Sequence, residues 1–501
     1  MFKSGIPEID FSTGWLEPDI YSTAWVAMVM DKDDKSKPAW PQALEFIRDS
    51  QLEDGGWGDP YMYYAHARII NTMTALLALK TWNDPQDFTR IQCGFKALGH
   101  YALDLDKEAH EPIGFELLFP SLLKRLHGAE EQFPAHILQK INALHAEKLN
   151  LIDHLVPEIH KPEAWWFSME MLPEYELACV EDVFIDDIGS MATSPAATAA
   201  VLRARRMLGW QEPASSTYLD NLLYLGNGSV PFAWPAEIFA YLWILDTYRR
   251  AGIPPSDKFR NVMKSLNENW HSGTQGLSYS QLFPINDGDI TTVGYSVLRW
   301  GGYNPSDDAL LALWSEDCTK TYPNERGVSI STNIHLLTAL RMQPGTPRED
   351  YMHRVTDWLK KQAKPDTLYD DKWHLSPFYT VSHALSAFLL WDAEMQDRCL
   401  EFILDHQRED GGWGWQGKTT LEETAHCIIA LNEAYNAGIL QDLTPLARAA
   451  HLYQDYLVEP KERMWIGKAL YRPVEILQAI MFATRYILQQ KNLLEPTGMD
   501  E

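Results

Sequence analysis

An eight-position pattern, Q-x-E-D-G-G-W-G, occurs twice in the chain, at Gln51 and again at Gln407. Two unrelated turns rarely share so long a pattern, so the repeat indicates two related structural units. Gln and Asp side chains can satisfy free backbone groups at a helix end, paired glycines permit a sharp reversal, and the tryptophan packs the corner. The alternative is a simple turn with a neighbouring Trp, and the length of the match argues against it.

The sequence between the two copies has the spacing of helices. The segments EIFAYLWILDTYRRAGI, from Glu237, and TNIHLLTALRM, from Thr332, place apolar residues three and four positions apart, and Gly or Pro follows each. Alternating strand patterns are scarce. A chain of 501 residues is also too long for one ordinary core. These features predict an all-α protein with at least two domains.

Composition and charge exclude several classes of protein. A formal net charge of −26 would repel nucleic acid and anionic membrane surfaces. The five cysteines have no C-x-x-C spacing, so neither a disulfide framework nor a zinc site is indicated. The N-terminus lacks the pattern of a signal peptide, and no long uncharged apolar run is present. We expect a cytoplasmic protein without stable membrane insertion, as a monomer or homodimer.

Two acidic segments are candidates for chemistry. In DKDDK, from Asp31, the aspartates are interspersed with lysines, which is typical of a solvated loop. Asp287 and Asp289 instead lie beside Phe283 and Ile290, at the start of an apolar helical run. Two carboxyl groups held close in a desolvated pocket cannot both ionise easily, so such a pair keeps one proton near neutral pH. A helix N-cap explains the first aspartate equally well.

The segment around this pair, DGDITTVGYSVLRWGGY, resembles the D-x-D-D-T-A-M-G-F-R-L-L-R-x-x-G-Y element of class II diterpene cyclases. Other segments resemble elements of that family in the same order: YSTAWVAMV from Tyr21, HEPIGFELLFPSLL from His110, SPAATA from Ser194, VPFAWPAEIFAYLWILDTYRRAGI from Val230, DKWHLSPFYTVSHA from Asp371 and WIGKALYRP from Trp465. An ordered series of matches along nearly the whole chain is more specific than any single motif.

The resemblance implies a protonation-initiated terpene cyclase, an isomerase of the intramolecular lyase type. In that family the middle aspartate of the motif donates a proton to a polyprenyl diphosphate, and this position is Asp289. Asp287 would then hold the donor protonated and oriented. Ile290 replaces the family's last aspartate and is followed by Thr291 and Thr292, which resembles a bacterial D-x-D-T-T variant. Thr291 therefore completes the predicted catalytic set.

Aromatic and basic residues of the matching segments are the predicted substrate contacts. Aromatic faces stabilise a carbocation by about 0.5–2 kcal/mol per ring. The predicted rings are Trp300, Trp373, Tyr379, Phe167, Phe232 and Trp234. For the diphosphate, Lys468 and Arg472 lie four positions apart and would share one face of a helix. Ion pairs with Glu459 or Glu462 explain those two cations equally well.

An acidic segment is the predicted metal site. In the family, an E-D-x-x-D-like segment holds magnesium against the diphosphate, and DLDKEAH is the similar segment here. The resemblance makes Asp104, Asp106 and Glu108 the Mg²⁺ ligands, with Glu116 as a lesser candidate. A polar helix face accounts for the same spacing.

Two departures from the family bear on the product. Plant enzymes that make the ent-copalyl product carry a His and an Asn that hold a terminating water, and Phe167 and Phe232 stand in their places. The product should therefore differ from ent-copalyl diphosphate in stereochemistry, shifts or ring number. The D-D-x-x-D motif of diphosphate ionisation is missing, since Asp186 and Asp187 lack a third acid. The diphosphate should therefore stay on the product.

The resemblance implies two α/α double barrels, as in the βγ didomain terpene cyclases. An inserted N-terminal barrel would cover 35–215, and the catalytic barrel would combine 10–34 with 216–501. The expected reaction converts geranylgeranyl diphosphate to a bicyclic labdane- or halimane-type diphosphate. Farnesyl diphosphate going to a drimane skeleton is the alternative. A squalene-type triterpene cyclase and a non-catalytic isoprenoid-binding scaffold are weaker alternatives.

Overall fold

A computed structural model describes residues 14–108, 110–152, 163–180, 185–271, 276–283, 285–342, 348–454 and 459–495. Helices dominate these residues, which confirms the all-α prediction. No described helix combines the length and the apolar character that a membrane span requires.

The described part of the chain contains nineteen α-helices: α1 Ile20–Ala27, α2 Pro41–Asp49, α3 Ala65–Trp82, α4 Phe88–Tyr101, α5 Phe115–Arg125, α6 Ala135–Ile152, α7 Glu174–Ala178, α8 Pro195–Met207, α9 Pro213–Leu225, α10 Glu237–Ala251, α11 Asp257–His271, α12 Gly288–Trp300, α13 Ile330–Arg341, α14 Glu349–Gln362, α15 Pro377–Phe388, α16 Ala393–Asp405, α17 Leu421–Asn436, α18 Thr444–Ala449 and α19 Val474–Gln490. Short 3₁₀ helices cover Pro85–Asp87, Ala102–Lys107, Glu130–Gln132, Ala164–Met171, Asp307–Leu311 and Ala450–Tyr453. Two hairpins pair β1 Trp314–Ser315 with β2 Cys318–Thr319, and β3 Trp465–Ile466 with β4 Leu470–Tyr471.

Side-chain caps explain where several of these helices begin. The carboxylate of Asp19 accepts a hydrogen bond from the backbone N–H of Ser22 at the start of α1. Ser194 and Ser376 cap α8 and α15 in the same way, and each is followed by proline. Proline suits this first helical position, because its missing N–H would have no partner there.

Six helices of the second half form a closed ring. In order around the ring, α10, α12, α13, α15, α17 and α19 each pack against the next, and α19 returns to α10. Helices α11, α14, α16 and α18 pack on the outside, against α12, α13, α15 and α17 respectively. Helices that alternate between an inner and an outer layer define an α/α barrel.

A smaller ring closes in the first half. It contains α1, α3, α5, the 3₁₀ helix Ala164–Met171 and α8, and α8 packs back against α1. Helices α2, α4, α6, α7 and α9 lie outside it. The prediction of two α/α barrels is therefore confirmed.

Helix α1 departs from the predicted division of the chain. We expected it in the second barrel, but it packs in the first ring, where the hydroxyl of Tyr21 donates to Glu170 at 2.9 Å. The residues just before it reach the second half, because the N–H of Asp19 donates to the carbonyl of Val230 at 3.0 Å. Residues 10–13 lie outside the described residues, and the boundaries near 35 and 215 stay a prediction.

The two Q-x-E-D-G-G-W-G segments fold into the same turn, one after α2 and one after α16. The side-chain amide of Gln51 donates to the carbonyl of Gly55 at 2.7 Å, and that of Gln407 donates to Gly411 at 2.7 Å. Both glycines adopt positive φ angles, +90° and +84°, which favour glycine. The indole N–H groups also match: Trp57 donates to Ile47 and Trp413 to Ile403, each at 2.7 Å.

Candidate active site

A cavity of about 500 Å³ is lined by residues of both rings. One third of the residues that line it are aromatic, which suits an apolar ligand of moderate size. Among the residues that the structure describes, twelve Phe, Tyr and Trp rings line it: Trp165, Phe167, Phe232, Phe239, Trp243, Tyr279, Phe283, Tyr322, Trp373, Tyr379, Trp465 and Tyr471.

The two aspartates of the D-x-D motif enter this cavity at the start of α12. Asp287 is the N-cap, and its Oδ1 accepts hydrogen bonds from the backbone N–H groups of Asp289 at 2.8 Å and Ile290 at 3.0 Å. Both aspartates are buried, each with 7% of its surface exposed, and both line the cavity. The N-cap role and a role in the cavity are therefore compatible.

A histidine pair that the sequence analysis missed supports Asp289. His335 on α13 places Nδ1 2.6 Å from Oδ1 of Asp289, and its Nε2 lies 2.8 Å from Nδ1 of His383 on α15. Burial lowers the pKa of His383 well below its ordinary value, so this ring is neutral. The neutral arrangement has His383 donating to His335, and His335 donating to Asp289.

Burial and the nearby Asp289 raise the pKa of Asp287 to about 7. Because the pKa of Asp287 is raised in this way, the two adjacent carboxyl groups hold one proton between them near neutral pH. Asp287 accepts three hydrogen bonds, the third from the Tyr322 hydroxyl at 2.5 Å, and these favour its charged form. His335 occupies Oδ1 of Asp289, so the geometry favours the proton on the other oxygen of Asp289.

Thr291 does not join this network. Its hydroxyl accepts the N–H of Leu277 at 3.0 Å and lies 3.3 Å from the Leu277 carbonyl. The side chain therefore fastens a neighbouring loop to α12 and does not line the cavity. The assignment of Thr291 to the catalytic set is corrected accordingly.

The predicted aromatic contacts divide into two groups. Phe167, Phe232, Trp373 and Tyr379 line the cavity, as required for contact with a ligand. Two others do not line it. Trp234 packs beside Tyr218, and Trp300 lies at the far end of α12 from the aspartates.

The predicted diphosphate cations are wrongly placed. Lys468 and Arg472 do not share a helix face, because their segment forms the β3–β4 hairpin. The ammonium of Lys468 is buried and donates to Glu170 at 2.6 Å, Ser194 at 2.8 Å and the carbonyl of Phe167 at 2.5 Å. Arg472 bonds Glu17 at 3.1 Å. Neither cation lines the cavity, and neither uses the predicted alternative partners Glu459 and Glu462.

Three other cations do line the cavity, around a loop at 321–328. Arg326 pairs with Glu111 at 2.5 Å, Lys372 pairs with Glu325, and Lys148 donates to the carbonyl of Asn324 at 2.8 Å. Burial lowers the pKa of Lys148. Lys148 and Arg326 lie outside the segments that resemble the family, and Lys372 lies in one of them, DKWHLSPFYTVSHA, but was not predicted as a ligand contact.

The predicted magnesium ligands do not form a metal site. Asp104 pairs with Lys107 at 2.6 Å, and Asp106 pairs with Lys140 at 2.9 Å. Glu108 lies 2.5 Å from Nδ1 of His66. The three carboxylates do not converge on one point or line the cavity. The residues therefore do not fit the ion, because local cations and a histidine already occupy them.

One group among the described residues has metal-ligand spacing. The ligand atoms of His374, Glu422 and His426 lie within 4.8 Å of one another, and all three side chains are buried. However, Nδ1 of His374 accepts the backbone N–H of Ser376 at 3.1 Å. The proton of the neutral ring is therefore on Nε2, which faces Glu422 at 3.1 Å and has no lone pair for a metal.

Comparisons with known proteins identify the family. No family model matches the chain. An uncharacterised protein of Sinorhizobium fredii is 31% identical over 94% of this chain and 92% of its own length. A type B diterpene cyclase of Mycobacterium tuberculosis is 27% identical over 94% of this chain and 96% of its own length. The chain belongs to the class II diterpene cyclases.

Family membership confirms the prediction made from the motifs, including that the protein is an isomerising cyclase. The fold agrees with that of ent-copalyl diphosphate synthase from Streptomyces platensis, with a TM-score of 0.71 at 22% identity over 95% of this chain and 96% of that one. Copalyl diphosphate synthase 1 of Selaginella moellendorffii is 29% identical over 72% of this chain, but this stretch spans only 49% of that longer protein.

Proposed function

We propose that this class II cyclase protonates the terminal alkene of geranylgeranyl diphosphate with Asp289 and closes two rings. The product would be a labdane- or halimane-type diphosphate with the diphosphate retained. The observation that carries the proposal is the contact of Asp289 with His335 at 2.6 Å, at the wall of an aromatic cavity. The relatives' names support the substrate class.

An alkene is a weak base, so the acid must be uncharged and shielded from water before it reacts. Burial of both aspartates and the raised pKa of Asp287 support a shared proton near neutral pH. After transfer, Asp289 is a carboxylate, and the N–H of His335 stabilises the new charge. The surrounding rings then stabilise the carbocation.

The cavity lacks the His and Asn that hold the water molecule for the final proton removal in the plant enzymes that make ent-copalyl diphosphate. The rings of Phe167 and Phe232 lie 6.0 Å apart at the wall, where a His and an Asn would hold a water molecule. Neither ring can orient a water as a base. This supports a product other than ent-copalyl diphosphate.

The loop at 321–328 supports a diphosphate site. Lys148, Arg326 and Lys372 are the cavity cations, and Arg326 can bind phosphate oxygens with two N–H groups. Glu111, Glu116 and Glu325 also line this region, so its formal charges cancel before a ligand enters.

Magnesium stays a proposal. A diphosphate would bring excess negative charge to the loop at 321–328, and a divalent cation would offset it. Among the carboxylates of the cavity wall, Glu116 has the donor chemistry that Mg²⁺ prefers, whereas Glu111 pairs with Arg326, and Asp104, Asp106 and Glu108 are engaged away from the cavity. Activity measured with EDTA and then with restored Mg²⁺ tests this requirement.

To test this function, the purified protein is incubated with Mg²⁺ and either geranylgeranyl or farnesyl diphosphate. The products are then dephosphorylated and analysed by mass spectrometry. We expect cyclised C20 product, and Asp289→Asn should reduce it by at least about 100-fold, the usual share of a general acid. Asp33→Asn in the exposed DKDDK loop is the matched control and should have no effect. A cyclised product from Asp289→Asn at the wild-type rate would refute the assigned acid.

The same assay separates the alternatives. A drimane product from farnesyl diphosphate would favour the C15 reaction, which a cavity of about 500 Å³ also accommodates. Activity on squalene without Mg²⁺ would favour a triterpene cyclase. Binding without turnover, unchanged by loss of either aspartate, would favour a scaffold.

A further inference from the structure

A buried carboxylate lies directly behind the aromatic wall of the cavity. Glu422, at the start of α17, has no exposed surface, and its Oε1 accepts the indole N–H of Trp465 at 2.7 Å. The ring of Trp465 lines the cavity, whereas Glu422 does not. The same oxygen lies 3.1 Å from Nε2 of His374, whose ring stacks on Tyr379 with centroids 4.5 Å apart. Tyr379 is also a cavity residue.

The charge of Glu422 is not neutralised by its neighbours. Nδ1 of His374 accepts a backbone N–H, so this imidazole is neutral and donates through Nε2. Burial lowers the pKa of His426 to about 4, so that ring is neutral as well. Among the described residues, no lysine or arginine forms a salt bridge with Glu422.

The carboxylate is nevertheless ionised. Burial alone would raise the pKa of Glu422, but hydrogen bonding lowers it. The Nε2–H of His374 and the indole N–H of Trp465 both donate to Oε1, which favours the charged form without a neighbouring cation. Its place in the first turn of α17 also favours a negative charge, because the N-terminus of a helix is the positive end of its dipole.

Capping of the helix does not account for Glu422. The N-cap of α17 is Thr420, whose hydroxyl accepts the backbone N–H of Glu423. The carboxylate of the neighbouring Glu423 accepts the hydroxyl groups of Thr420 at 2.7 Å and Ser376 at 2.5 Å and the N–H of Trp415 at 2.9 Å, and so holds the preceding turn in place. Two adjacent buried glutamates therefore have different surroundings. Glu423 stabilises the turn before the helix, and Glu422 accepts a hydrogen bond from an indole of the cavity wall.

We propose that Glu422 is a positioning residue that acts through Trp465, and that its negative charge stabilises the carbocation during ring closure. A hydrogen bond from the indole N–H to an anion increases the electron density of the ring, which strengthens its attraction for a cation. The charge itself adds a fixed electrostatic attraction from outside the cavity, in a region that water does not reach. The inference rests on the proposed function, because only a cationic intermediate would use this charge.

The test compares binding of two prenyl diphosphate analogues. In the first analogue, a protonated amine replaces a carbon that becomes positively charged during the reaction. The second analogue keeps the carbon at that position and is neutral there. We expect Glu422→Gln to reduce the preference for the cationic analogue by about tenfold, of the order of one cation–π contact. Glu423→Gln, the matched control on the same helix, should leave the preference unchanged.

Two further measurements keep the inference testable if Glu422→Gln folds poorly. Trp465→Phe retains a ring but removes the indole N–H, so it should lower the same preference. In the Trp465→Phe background, the Glu422→Gln change should have a smaller effect than in the wild type. With natural substrate, Glu422→Gln should lower kcat more than it raises KM, and release more singly cyclised or hydroxylated product.

Several outcomes would overturn the inference. In the Glu422→Gln variant, these are an equal loss of affinity for both analogues and an unchanged preference for the cationic analogue. In the wild-type protein, the third is one tightly bound zinc ion per chain in elemental analysis. These outcomes are distinct from failure of the proposed function. If the wild-type protein converts no prenyl diphosphate, the proposed function fails. If the wild-type protein does convert a prenyl diphosphate, but Glu422→Gln retains the preference for the cationic analogue, only the role of Glu422 fails.

Discussion

Nδ1 of His335 lies 2.6 Å from Oδ1 of Asp289, so a residue of α13 holds the carboxyl group that α12 brings to the cavity. A donor in this position stabilises the carboxylate that forms when the proton leaves. The arrangement also fixes which oxygen of Asp289 is free to carry that proton.

We expect His335→Leu to lower kcat by roughly 10- to 100-fold, because a hydrogen bond to a charged group contributes about 1.5–3 kcal/mol. His335→Asn retains an N–H donor of similar reach and should recover part of the loss. Steady-state assays with geranylgeranyl diphosphate give both values. Equal activity of the Leu and Asn variants would show that the hydrogen bond contributes nothing to the reaction.

The pH profile should report the aspartate pair. Since burial and Asp289 raise the pKa of Asp287 to about 7, kcat/KM should fall above about pH 7 as the pair loses its shared proton. Tyr322→Phe removes a donor that favours the charged form of Asp287, so the alkaline fall should move to higher pH. A shift in the opposite direction would contradict this account of the pair.

The same pKa has a consequence for stability. Near neutral pH the folded protein holds one proton on the Asp287–Asp289 pair, whereas Asp287 of the unfolded chain, with a pKa of 3.8, has released its proton. The contribution of this group to the free energy of unfolding is therefore full below about pH 4 and is lost as the pH rises through about 7. Asp287→Asn should make unfolding less dependent on pH in this window, as denaturant titrations at several pH values can measure.

Lys468 should be a structural residue. Lys468→Met would leave Glu170 buried without its cation, which costs about 3–5 kcal/mol of folding free energy. A fall in Tm with little change in KM for the diphosphate is the expected result. Lys264→Met, at an exposed ion pair with Glu268, is the control and should change stability by less than about 1 kcal/mol.

Arg326 should instead affect substrate binding. Arg326→Gln removes a cavity cation, and we expect KM for the diphosphate to rise by about tenfold with a smaller change in kcat. Arg354→Gln, at a surface pair with Asp317, provides the comparison. If both variants had the same KM, the loop at 321–328 would not be the diphosphate site.

Local patterns predicted the turns and the helices well. The two copies around Gln51 and Gln407 contain all the atoms that form their hydrogen bonds to Gly55 and Gly411, so the sequence pattern and the turn correspond directly. The cap at Asp287 was likewise readable from its position before an apolar run.

Contacts between distant segments were not readable from spacing. His335 meets Asp289 only because α13 packs against α12, and Lys148 reaches the carbonyl of Asn324 in the loop at 321–328 across 176 positions of sequence. Lys468 and Arg472 had helical spacing, yet Gly467 lies between the strands of a hairpin. The sequence shows the residue types, while the tertiary packing determines which partner each one finds.

The residues of the cavity wall are far apart in the sequence, from Leu16 through Lys148 to Tyr471, so the ribosome adds the last of them long after the first. An incomplete chain emerging from the ribosome therefore contains the D-x-D motif before the last part of its enclosure exists. Without the hairpin that carries Trp465 and Tyr471, the wall around the acid would lack two of its twelve rings. The wall that encloses the reactive intermediate is thus complete only after the C-terminal segment has been synthesised and has docked.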